Sequence, residues 1–463
     1  MTPASNLTVT AQVYETLHRH LFPGDGLEAA AILLCARTPG PRTRILARDV
    51  VLVPHDACAH RGRDWLTWPG IVIEEAIDLA EADDLSLVLI HSHPGGFFDF
   101  SKQDDDSDQS TMPGLFQALG TLHGSAIMTP DGAMLARIYG PDMTPRLLDF
   151  VSVPGDDLRW WWSDRQFSKR PLAFTSQTRD ELARLSACVI GVSGTGSVVA
   201  EQVARLGFGQ VQLIDFDKVE GRNLNRILNS TLEDAVAERL KVQAFAEAIG
   251  RYRGDGVAVP LAQSISTRES VLLASQTDVL FCCVDTLEAR HIADLIASAF
   301  MLPLFDVGVV IPIRTHGSTV AIADVCGRID YVQPGGATLQ DRGIYDPVSL
   351  RAEYLRQVAP EAHHDEVQAG YLRGMAEQAP SVITLNMRAA AACVMEFIAR
   401  AYPFRHERNG QYARTEFSIA AIEEENHPES SFVKQPNSTL GRGNKEPLLG
   451  LPSLRAPRDR SAP

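Results

Sequence analysis

The chain is predicted to be an α/β protein, in which an N-terminal domain with a mixed sheet and helices precedes a second domain with a largely parallel sheet. Three observations predict this class. With 463 residues, the chain is too long for one typical hydrophobic core. In its second half, short apolar runs alternate with segments of helical spacing, as they do in parallel sheets. A glycine-rich turn between two of these runs is typical of a nucleotide-binding βαβ unit.

The composition narrows the class of protein further. The hydrophobic fraction of 45% is that of a globular protein. The net charge of −15 argues against nucleic acid or an anionic membrane as the main partner. The seven cysteines are scattered and odd in number, which favours a reducing compartment. The first 20 residues lack the apolar core of a signal peptide, and no apolar run is long enough to span a membrane. We therefore expect a cytoplasmic protein.

Residues 1–155 are predicted to form the first domain, which ends at Pro154-Gly155 just before three consecutive tryptophans. Helices are predicted where apolar residues recur every three or four positions, and strands where they are continuous. The predicted elements are helices over residues 9–20 and 68–82, strands over residues 27–35 and 85–90, and a hairpin of residues 125–128 and 134–139. The tryptophans, residues 160–162, are expected at an interdomain contact rather than against a ligand.

Residues 156–427 are predicted to form the second domain. Residues 428–463 are rich in proline, serine and glycine, which predicts a flexible tail. Strands joined by helices predict a parallel sheet in the second domain. The predicted strands cover residues 187–191, 212–215, 279–283 and 304–310, and the predicted helices cover residues 197–206 and 381–402.

The sharpest motif of the first domain is HSHP at residues 91–94, followed by SKQD at residues 101–104. Residues two apart on a strand face the same way, so His91 and His93 can present their imidazoles to one metal ion. Asp104 can return from the following turn as a third ligand. Two histidines and one carboxylate leave a fourth position for water, as at hydrolytic zinc sites. The motif therefore predicts a Zn²⁺ site.

Hydrolysis at such a site needs two further groups. Zinc lowers the pKa of a bound water to about 7, and a carboxylate must then accept the proton. Glu28 is the candidate base because it opens an apolar strand, and Ser101 is placed to stabilise the developing oxyanion. The plainer interpretation is a surface loop in which incidental histidines lie near the acidic residues 104–106. The complete His-x-His-Pro-x6-Ser-x-x-Asp spacing argues against it.

This stretch resembles the JAMM (JAB/MPN) metalloproteases over roughly residues 10–140. The resemblance implies a zinc enzyme that hydrolyses peptide or isopeptide bonds after the C-terminus of ubiquitin-like proteins. Glu28 and the run after it are similar to the Glu-x-x-Gly-x-x-x-Gly segment of that family. Ala31 and Cys35 replace the two glycines.

The second domain is organised around residues 188–226, which contain a strand, a glycine-rich turn, a helix and a second strand. Gly191, Gly194 and Gly196 let the backbone turn tightly and approach phosphate at a helix N-terminus. Asp215 lies where an acidic side chain of a Rossmann-like domain can hydrogen-bond ribose hydroxyls. Many α/β cores contain such a turn, so the turn alone is a weak indication of nucleotide binding.

The segment DFDKVEGRNLNR, residues 215–226, sharpens this interpretation. Together with the turn, it resembles the adenylating domain of the ThiF/MoeB/ubiquitin-activating-enzyme superfamily, over roughly residues 165–405. The resemblance implies a homodimer that uses ATP to adenylate the C-terminal carboxylate of a ubiquitin-like protein. Ser193 departs from it, because the family has the middle glycine of its turn there. The positions matched are Arg165, Gly191, Gly194, Thr195, Gly196, Asp215, Asp217, Asn223, Arg226, Lys241, Asp285 and Arg290.

Adenylation requires cations near the phosphates, because charge builds there as the carboxylate attacks and pyrophosphate leaves. Arg226 and Lys241 can supply them, and the resemblance directs Lys241 to the phosphates. Asp285 follows a buried strand at the carboxyl edge of the sheet, where it could hold Mg²⁺. By resemblance, Arg165 would reach the ATP of a partner subunit. In the plainer interpretation, Lys241 is a solvated helix residue and Asp285 is a helix N-cap.

Three classes of function stay open. The first is a bifunctional enzyme of bacterial type that trims or removes a ubiquitin-like protein and adenylates its exposed carboxylate. The second is an enzyme that adenylates a sulfur-carrier protein for sulfur transfer. The third is a scaffold that binds a ubiquitin-like tail without catalysis, against which the intact zinc ligands argue. A conjugating enzyme or a sulfurtransferase is the expected further partner. A dehydrogenase fits least, because residues 223–226 and Lys241 have no role in one.

The cysteines predict where the acyl group goes. No Cys-x-x-Cys pair occurs, so the structural zinc site of related adenylating domains is not expected. Thr338 and Asp341 stand where a related stretch has such a pair, and neither can form a thioester. Cys326 is the nearest alternative, in a predicted strand where burial leaves a thiol inert. We therefore expect the acyl-adenylate to pass directly to the thiol of a partner.

Overall fold

The structure is a computed structural model and describes residues 4–164, 175–316, 319–359, 361 and 382–457. The chain divides into two compact units. The first unit comprises Met1–Pro171, Ser298–Met301 and Ser438–Pro463, and the second comprises Leu172–Ala297 and Leu302–Asn437. Within the described residues, no helix is both long enough and apolar enough to cross a membrane.

The first unit is built on one mixed sheet. Its helices are α1 (Ala11–Leu21), α2 (Ile71–Asp83) and α3 (Lys102–Leu119). Its strands are β1 (Asn6–Val9), β2 (Ala30–Arg37), β3 (Arg44–Leu52), β4 (His60–Arg61), β5 (Leu66–Thr67), β6 (Ser86–Ser92), β7 (His123–Met128), β8 (Met134–Tyr139), β9 (Pro145–Leu147), β10 (Phe150–Pro154) and β11 (Leu158–Trp162). The sheet runs in the order β11-β10-β1-β3-β2-β6-β7-β8-β9, and β4 and β5 form a separate small hairpin.

The central strand β2 is buried on both faces, which explains its continuous apolar sequence. Ala31, Leu33 and Cys35 point into one core cluster, together with apolar residues of α1. Their neighbours in sequence point into a second cluster, together with apolar residues of α2 and α3. Successive side chains of a strand face opposite sides, so one strand contributes to both cores. The predicted mixed sheet with helices is confirmed.

The predicted elements of this unit are found with shifted ends. Helix α1 begins after Thr10, whose hydroxyl oxygen accepts a hydrogen bond from the Val13 N–H at 3.3 Å as an N-cap. Helix α2 begins at Ile71 rather than residue 68. The hairpin of β7 and β8 forms as predicted, with Met128 opposite Met134.

The first unit extends past the predicted boundary at residue 155. Strand β11 pairs antiparallel with β10, so Pro154-Gly155 lies at a turn within the sheet. Trp160 and Trp162 are buried on this strand, and Trp161 stacks on Tyr14 with ring centroids 5.7 Å apart. Strand β11 therefore places the tryptophans in the sheet of the first unit, and their interdomain contact stays a prediction.

Residues 428–457 do not have the predicted character of a flexible tail. Glu429 accepts a hydrogen bond from the Ala337 N–H at 2.6 Å within the second unit. Further on, Leu448, Leu449 and Leu454 are buried within the first unit. The composition predicts flexibility, but these leucines remove apolar surface from water, which favours an ordered segment.

The second unit contains an eight-stranded sheet in the order β14-β13-β12-β15-β16-β19-β20-β21. Its strands are β12 (Ser186–Ile190), β13 (Gln210–Ile214), β14 (Ala258–Leu261), β15 (Val279–Cys282), β16 (Leu304–Val310), β17 (Ile313–His316), β18 (Thr319–Ile322), β19 (Cys326–Val332), β20 (Arg414–Ser418) and β21 (Glu423–His427). Its helices are α4 (Ser176–Leu182), α5 (Gly194–Leu206), α6 (Leu232–Val236), α7 (Lys241–Arg253), α8 (Arg268–Ser275), α9 (Leu287–Ala299), α10 (Pro347–Val358) and α11 (Ile383–Ala401).

The first five strands of this sheet are parallel, and the last three run antiparallel to their neighbours. The predicted largely parallel, Rossmann-like sheet is confirmed. Because β12, β13 and β15 are parallel, the loops after Ile190, Ile214 and Cys282 leave the sheet at one common edge. Ligands of open α/β sheets bind at such an edge.

Candidate functional sites

His91, His93 and Asp104 form a cluster in the first unit. Strand β6 carries His91 and delivers His93 directly after its last residue, and the first turn of α3 carries Asp104. The Nε2 atoms of the two histidines are 3.0 Å apart. Asp104 lies 3.1 Å from His91 Nε2 and 3.5 Å from His93 Nε2. One candidate ligand atom from each residue therefore lies within 4.8 Å of the others.

Asp104 is held by the start of helix α3. Ser101 is the N-cap, and its hydroxyl oxygen accepts a hydrogen bond from the Asp104 N–H at 3.2 Å. In return, the Ser101 N–H donates to the Asp104 carboxylate at 2.6 Å, which completes a capping box. Burial raises the pKa of Asp104, but hydrogen bonds with His91 and His93 outweigh it and hold that pKa well below its usual range. The carboxylate is thus kept ionised, as a metal ligand must be.

His93 is oriented by a second contact. Its Nδ1 lies 2.7 Å from the Phe97 carbonyl oxygen, so Nδ1 carries the hydrogen and Nε2 is left to face the cluster. Burial lowers the pKa of His93, but the hydrogen bond with Asp104 outweighs it and the net shift is upward. Such an outer contact fixes the tautomer that a metal ligand needs.

Glu28 lies in the same cavity as this cluster. It precedes β2, in which Ala30 is paired with His91, and only 7% of its surface is exposed. Its backbone is anchored on both sides, since its N–H donates to the Gly62 carbonyl at 2.7 Å and its carbonyl accepts from Arg61 Nε at 3.0 Å. Burial raises the pKa of its carboxyl to about 7, although the neighbouring histidines act in the opposite direction. A carboxyl of this pKa can accept and return a proton near neutrality.

The cavity has a volume of about 400 Å³ and is also lined by Ser101. Two imidazoles and one carboxylate are a donor set that suits zinc, and the site has room for a fourth ligand. The residues present therefore fit a zinc ion. The structure brings together all five residues predicted for hydrolysis, which are Glu28, His91, His93, Ser101 and Asp104.

Several residues around this cavity were not predicted from the sequence. Asp108 and Ser125 line it, and Asp108 bonds Arg137 of β8. The position of Asp108 near the cavity could have been predicted from the sequence, because Asp108 follows Asp104 by one helical turn on the same face of α3. The position of Arg137 could not have been predicted in this way, since it lies on a strand far along the chain.

The second unit carries the glycine turn between β12 and α5. Gly191 has a φ of +84°, and a Cβ there would lie 3.0 Å from the Cys283 carbonyl oxygen. A Cβ on Gly196 would lie 1.7 Å from the Gly191 carbonyl oxygen, so this position excludes every other residue. Ser193 has a φ of −105°, outside the left-handed region that favours glycine. The turn between β12 and α5 thus forms with Ser193 in place of the glycine.

The start of α5 is also braced by the C-terminal helix of the second unit. The Thr195 hydroxyl donates to Asn386 Oδ1 at 3.3 Å, and a Cβ on Gly194 would lie 2.3 Å from Asn386 Nδ2. Arg226 also approaches Gly194, since its Cδ would lie 3.3 Å from that Cβ. The helix N-terminus, whose free N–H groups can bind phosphate, thus lies beside a predicted phosphate-binding cation.

Asp215 braces the turn as well. Its carboxylate accepts hydrogen bonds from the Val192 N–H at 2.7 Å and the Asp217 N–H at 2.8 Å. Burial raises its pKa, although Lys241 and these bonds act in the opposite direction. Lys241 is only 5% exposed and donates to the Asp217 carboxylate at 2.7 Å. The interpretation of Lys241 as a solvated helix residue is therefore excluded.

Of the other predicted residues of this unit, Asn223 and Arg290 are buried and bond the backbone of loops, whereas Asp285 is exposed. Asn223 is buried, and its side-chain oxygen accepts from the Glu220 N–H at 3.1 Å. Arg290 is buried against Asp306 and donates to the Val284 carbonyl at 2.6 Å, which holds the loop that carries Asp285. Asp285 itself is exposed at the common edge of the sheet. Arg165 lies outside the described residues.

Thr338 and Asp341, which stand where a related stretch has a cysteine pair, contact each other in the structure. The Thr338 N–H donates to the Asp341 carboxylate at 2.9 Å, and the Asp341 N–H donates to the Thr338 hydroxyl oxygen at 3.1 Å. These two residues therefore close a local turn by hydrogen bonds with each other.

Two family models match parts of this chain. Residues 165–401, more than half of the chain, match the model of the ThiF family, and residues 10–139 match that of the prokaryotic homologs of the JAB domain. Ubiquitin-like modifier-activating enzyme 5 of Culex quinquefasciatus is 30% identical over 168 residues, which are 34% of this chain and 39% of that protein. Adenylyltransferase and sulfurtransferase MOCS3 of Bos taurus is 32% identical over 129 residues, which are 28% of this chain and 27% of that protein.

Solved structures of E. coli MccB are similar over 57% of this chain. The match to the structure of MccB with ATP covers 69% of the MccB chain, with 15% sequence identity and a TM-score of 0.42. The chain spans about two fifths of the length of the first of these curated relatives. The glycine turn, the parallel sheet and the family match together show that the chain belongs to the ThiF family and carries a JAB-type domain at residues 10–139.

Proposed function

We propose that this chain is a bifunctional enzyme that acts on a ubiquitin-like protein. Residues 10–139 would hydrolyse the peptide or isopeptide bond after the C-terminus of this modifier, and residues 165–401 would adenylate the carboxylate so exposed. The observation that carries the proposal is the convergence of His91, His93 and Asp104 with Glu28 in one cavity, within a chain of the ThiF family.

For hydrolysis, His91, His93 and Asp104 would hold zinc, which supplies a nucleophile by lowering the pKa of water. Glu28 accepts the proton of this water and donates it to the leaving amine. The Ser101 hydroxyl is free to donate its hydrogen to the developing oxyanion, because its oxygen is the atom that accepts from Asp104. The carbonyl carbon gains the water oxygen and loses the amine, so the products are a carboxylate and an amine.

For adenylation, the modifier carboxylate attacks the α-phosphate of ATP and pyrophosphate leaves. Lys241, oriented by Asp217, and Arg226, beside the start of α5, would neutralise the charge that builds on the phosphates. Asp285 is the candidate ligand of Mg²⁺, because carboxylate oxygens suit this ion and its loop lies at the common edge. In a homodimer, Arg165 would reach the ATP of the partner subunit.

The fusion of both activities has a chemical rationale. The hydrolytic reaction produces the free C-terminal carboxylate that the adenylating reaction consumes. Both domains would also recognise the same extended C-terminal segment of the modifier. The same hydrolytic site could remove the modifier from its targets, so the two activities act either in series or in opposition.

The test uses the purified full chain with zinc, ATP and the C-terminally extended form of the ubiquitin-like protein encoded beside its gene. Intact mass spectrometry is expected to show loss of the extension and then gain of AMP. With the extended form, His91→Ala should block both changes, whereas with a modifier supplied already cleaved it should still allow the gain of AMP. Lys241→Ala should block only the second change. An unchanged mass with zinc bound and ATP present would contradict the proposal.

A sulfur-carrier substrate is the second candidate, and the similarity to the MOCS3 sequence favours it. In this case, a sulfurtransferase would convert the acyl-adenylate into a thiocarboxylate. Addition of such an enzyme with a persulfide donor and a thiol reductant distinguishes the two. The persulfide displaces AMP to form an acyl disulfide, the reductant releases the thiocarboxylate from it, and the thiocarboxylate differs in mass from both the carboxylate and the adenylate. A conjugating enzyme with an active cysteine would instead acquire the modifier as a thioester.

We also propose that no thioester forms on this chain. Burial and a hydrogen bond with Asp324 raise the pKa of the Cys326 thiol to about 11, so little thiolate exists near neutrality. Non-reducing gels after incubation with ATP and the modifier should show no adduct. A thiol-sensitive adduct that disappears in Cys326→Ala would identify Cys326 as an acceptor instead.

A further inference from the structure

A buried carboxylate lies one helical turn beyond Asp104. Asp108 of α3 is almost fully buried, and one of its oxygens accepts hydrogen bonds from Ser125, from the Tyr139 hydroxyl at 2.7 Å, and from two nitrogens of Arg137 at 2.7 and 3.0 Å. A buried carboxylate is costly unless it is paired, and Arg137 supplies the paired charge. Arg137 is itself only 4% exposed.

Arg137 contacts the start of α3 at three points. Its guanidinium lies 3.9 Å from the centre of the Phe100 ring, and it forms ion pairs with Asp105 and Asp108. Phe100 comes directly before the N-cap of the helix, and Asp105 comes directly after Asp104. The three contacts therefore enclose the segment that carries Asp104.

The sheet connects Arg137 to the candidate histidine ligands. Arg137 on β8 is paired with Ser125 on β7, and Ser125 is paired with Leu89 on β6, two residues before His91. The capping box sets the conformation of Asp104 within its own turn, but it does not set the distance from α3 to β6. The contacts of Arg137 supply this second restraint, because they join the helix to the sheet that carries the histidines.

We propose that Arg137 is a positioning residue for the metal site: it holds the N-terminus of α3 against the sheet so that Asp104 meets His91 and His93. This inference rests on the proposed hydrolytic function and deepens it. Arg137 does not line the cavity and takes no part in the chemistry. Its effect is on the affinity of the site for zinc, since contacts outside the ligand set commonly change metal affinity by about 10–100-fold.

The test measures zinc dissociation constants of the full chain by competition with a chromogenic chelator. Arg137→Met should weaken zinc binding by about 10–100-fold. Arg137→Lys keeps the charge but not the planar group, so it should recover part of the affinity. Phe100→Leu removes the stacked ring and leaves both ion pairs, so it should weaken binding by a smaller factor. Exposed Arg146 on β9 gives the matched control, and Arg146→Met should leave the constant unchanged.

Circular dichroism of the zinc-free variants separates positioning from unfolding. If Arg137→Met does not fold, Phe100→Leu and Arg137→Lys decide the matter. Zinc binding as tight as that of the unchanged chain in folded Arg137→Met, or in both of the other two variants, would overturn the inference. Failure of the unchanged chain to bind zinc would instead overturn the proposed hydrolytic function.

Discussion

The two candidate sites of this molecule differ in what holds their side chains in place. At the metal cluster, His91, His93 and Asp104 contact one another directly. At the common edge of the second sheet, Asp215 instead accepts a hydrogen bond from the Val192 N–H of the glycine turn, and Asn223 accepts one from the Glu220 N–H of its own loop. The first site is thus a converged set of side chains, whereas the second is a set of braced loops. Most predicted residues at the common edge of the second sheet therefore hold loops in place, whereas those of the candidate metal cluster would bind the ion themselves.

The largest expected effect breaks the metal cluster. His91→Ala or Asp104→Ala removes one of three ligands, so zinc affinity should fall by more than the ~10–100-fold typical of an outer contact, and cleavage should be lost with it. Zinc content and cleavage of the extended modifier measure this. Exposed His406 is the control, and His406→Ala should change neither. Cleavage by a metal-free variant would show that the cluster is not the hydrolytic site.

The next largest effect separates the base from the ligands. Glu28→Gln keeps the shape of the side chain but cannot accept a proton, so cleavage should fall by about 10²–10⁴-fold while zinc stays bound. Initial cleavage rates at saturating zinc test this, with exposed Glu15→Gln as the matched control. Full activity of Glu28→Gln would assign the base to another group.

The third prediction concerns only the candidate nucleotide site at the common edge of the second sheet. Lys241→Ala and Asp285→Ala should each lower modifier-dependent exchange between ATP and pyrophosphate by about 10²–10³-fold, because each removes a group that stabilises charge on the phosphates. Lys218→Ala, at an exposed lysine of the same region, should leave exchange unchanged. Zinc-dependent cleavage should persist in all three variants. Persistent exchange in both Lys241→Ala and Asp285→Ala would contradict the assignment.

The smallest effect concerns the pH dependence of folding. The pKa of Glu28 is raised from 4.5 to about 7 in the folded chain, so its contribution to stability is fully present below pH 4.5 and is lost as pH rises to about 7. The Tm of the zinc-free chain should therefore fall more between pH 5 and pH 7 than that of Glu28→Gln. Equal slopes in calorimetry would show that the carboxyl is not desolvated.

The local parts of both sites could be predicted from residues close together in the chain. His91 and His93 face one way because side chains on a strand repeat every two residues. The Ser-x-x-Asp spacing of Ser101 and Asp104 indicates a capping box, and that box is what orients the carboxylate. The glycine turn could also be predicted from the sequence. Gly191 and Gly196 are needed there because a Cβ at either position would clash with the backbone.

Other features depend on contacts between distant residues. The predicted boundary at residue 155 falls between β10 and β11, because the pairing of these strands is not visible in the composition. Residues 428–457 have the composition of a flexible tail, yet the side chains of Leu448 and Leu454 are buried in the folded chain. No local pattern indicated that Arg137 would join α3 to the sheet.

The class of the fold, the metal-ligand spacing and the glycine turn could be predicted from the sequence, since each depends on periodicity or hydrogen bonds within a few residues. The folded chain was needed to show that Glu28 lies in the cavity of the histidines, that Lys241 is buried on Asp217, and that Arg137 pairs with Asp108 on the helix of Asp104. The physical reason is that these contacts join residues 24 or more positions apart. Their geometry follows from the packing of whole strands and helices, whose free energy is spread over many residues.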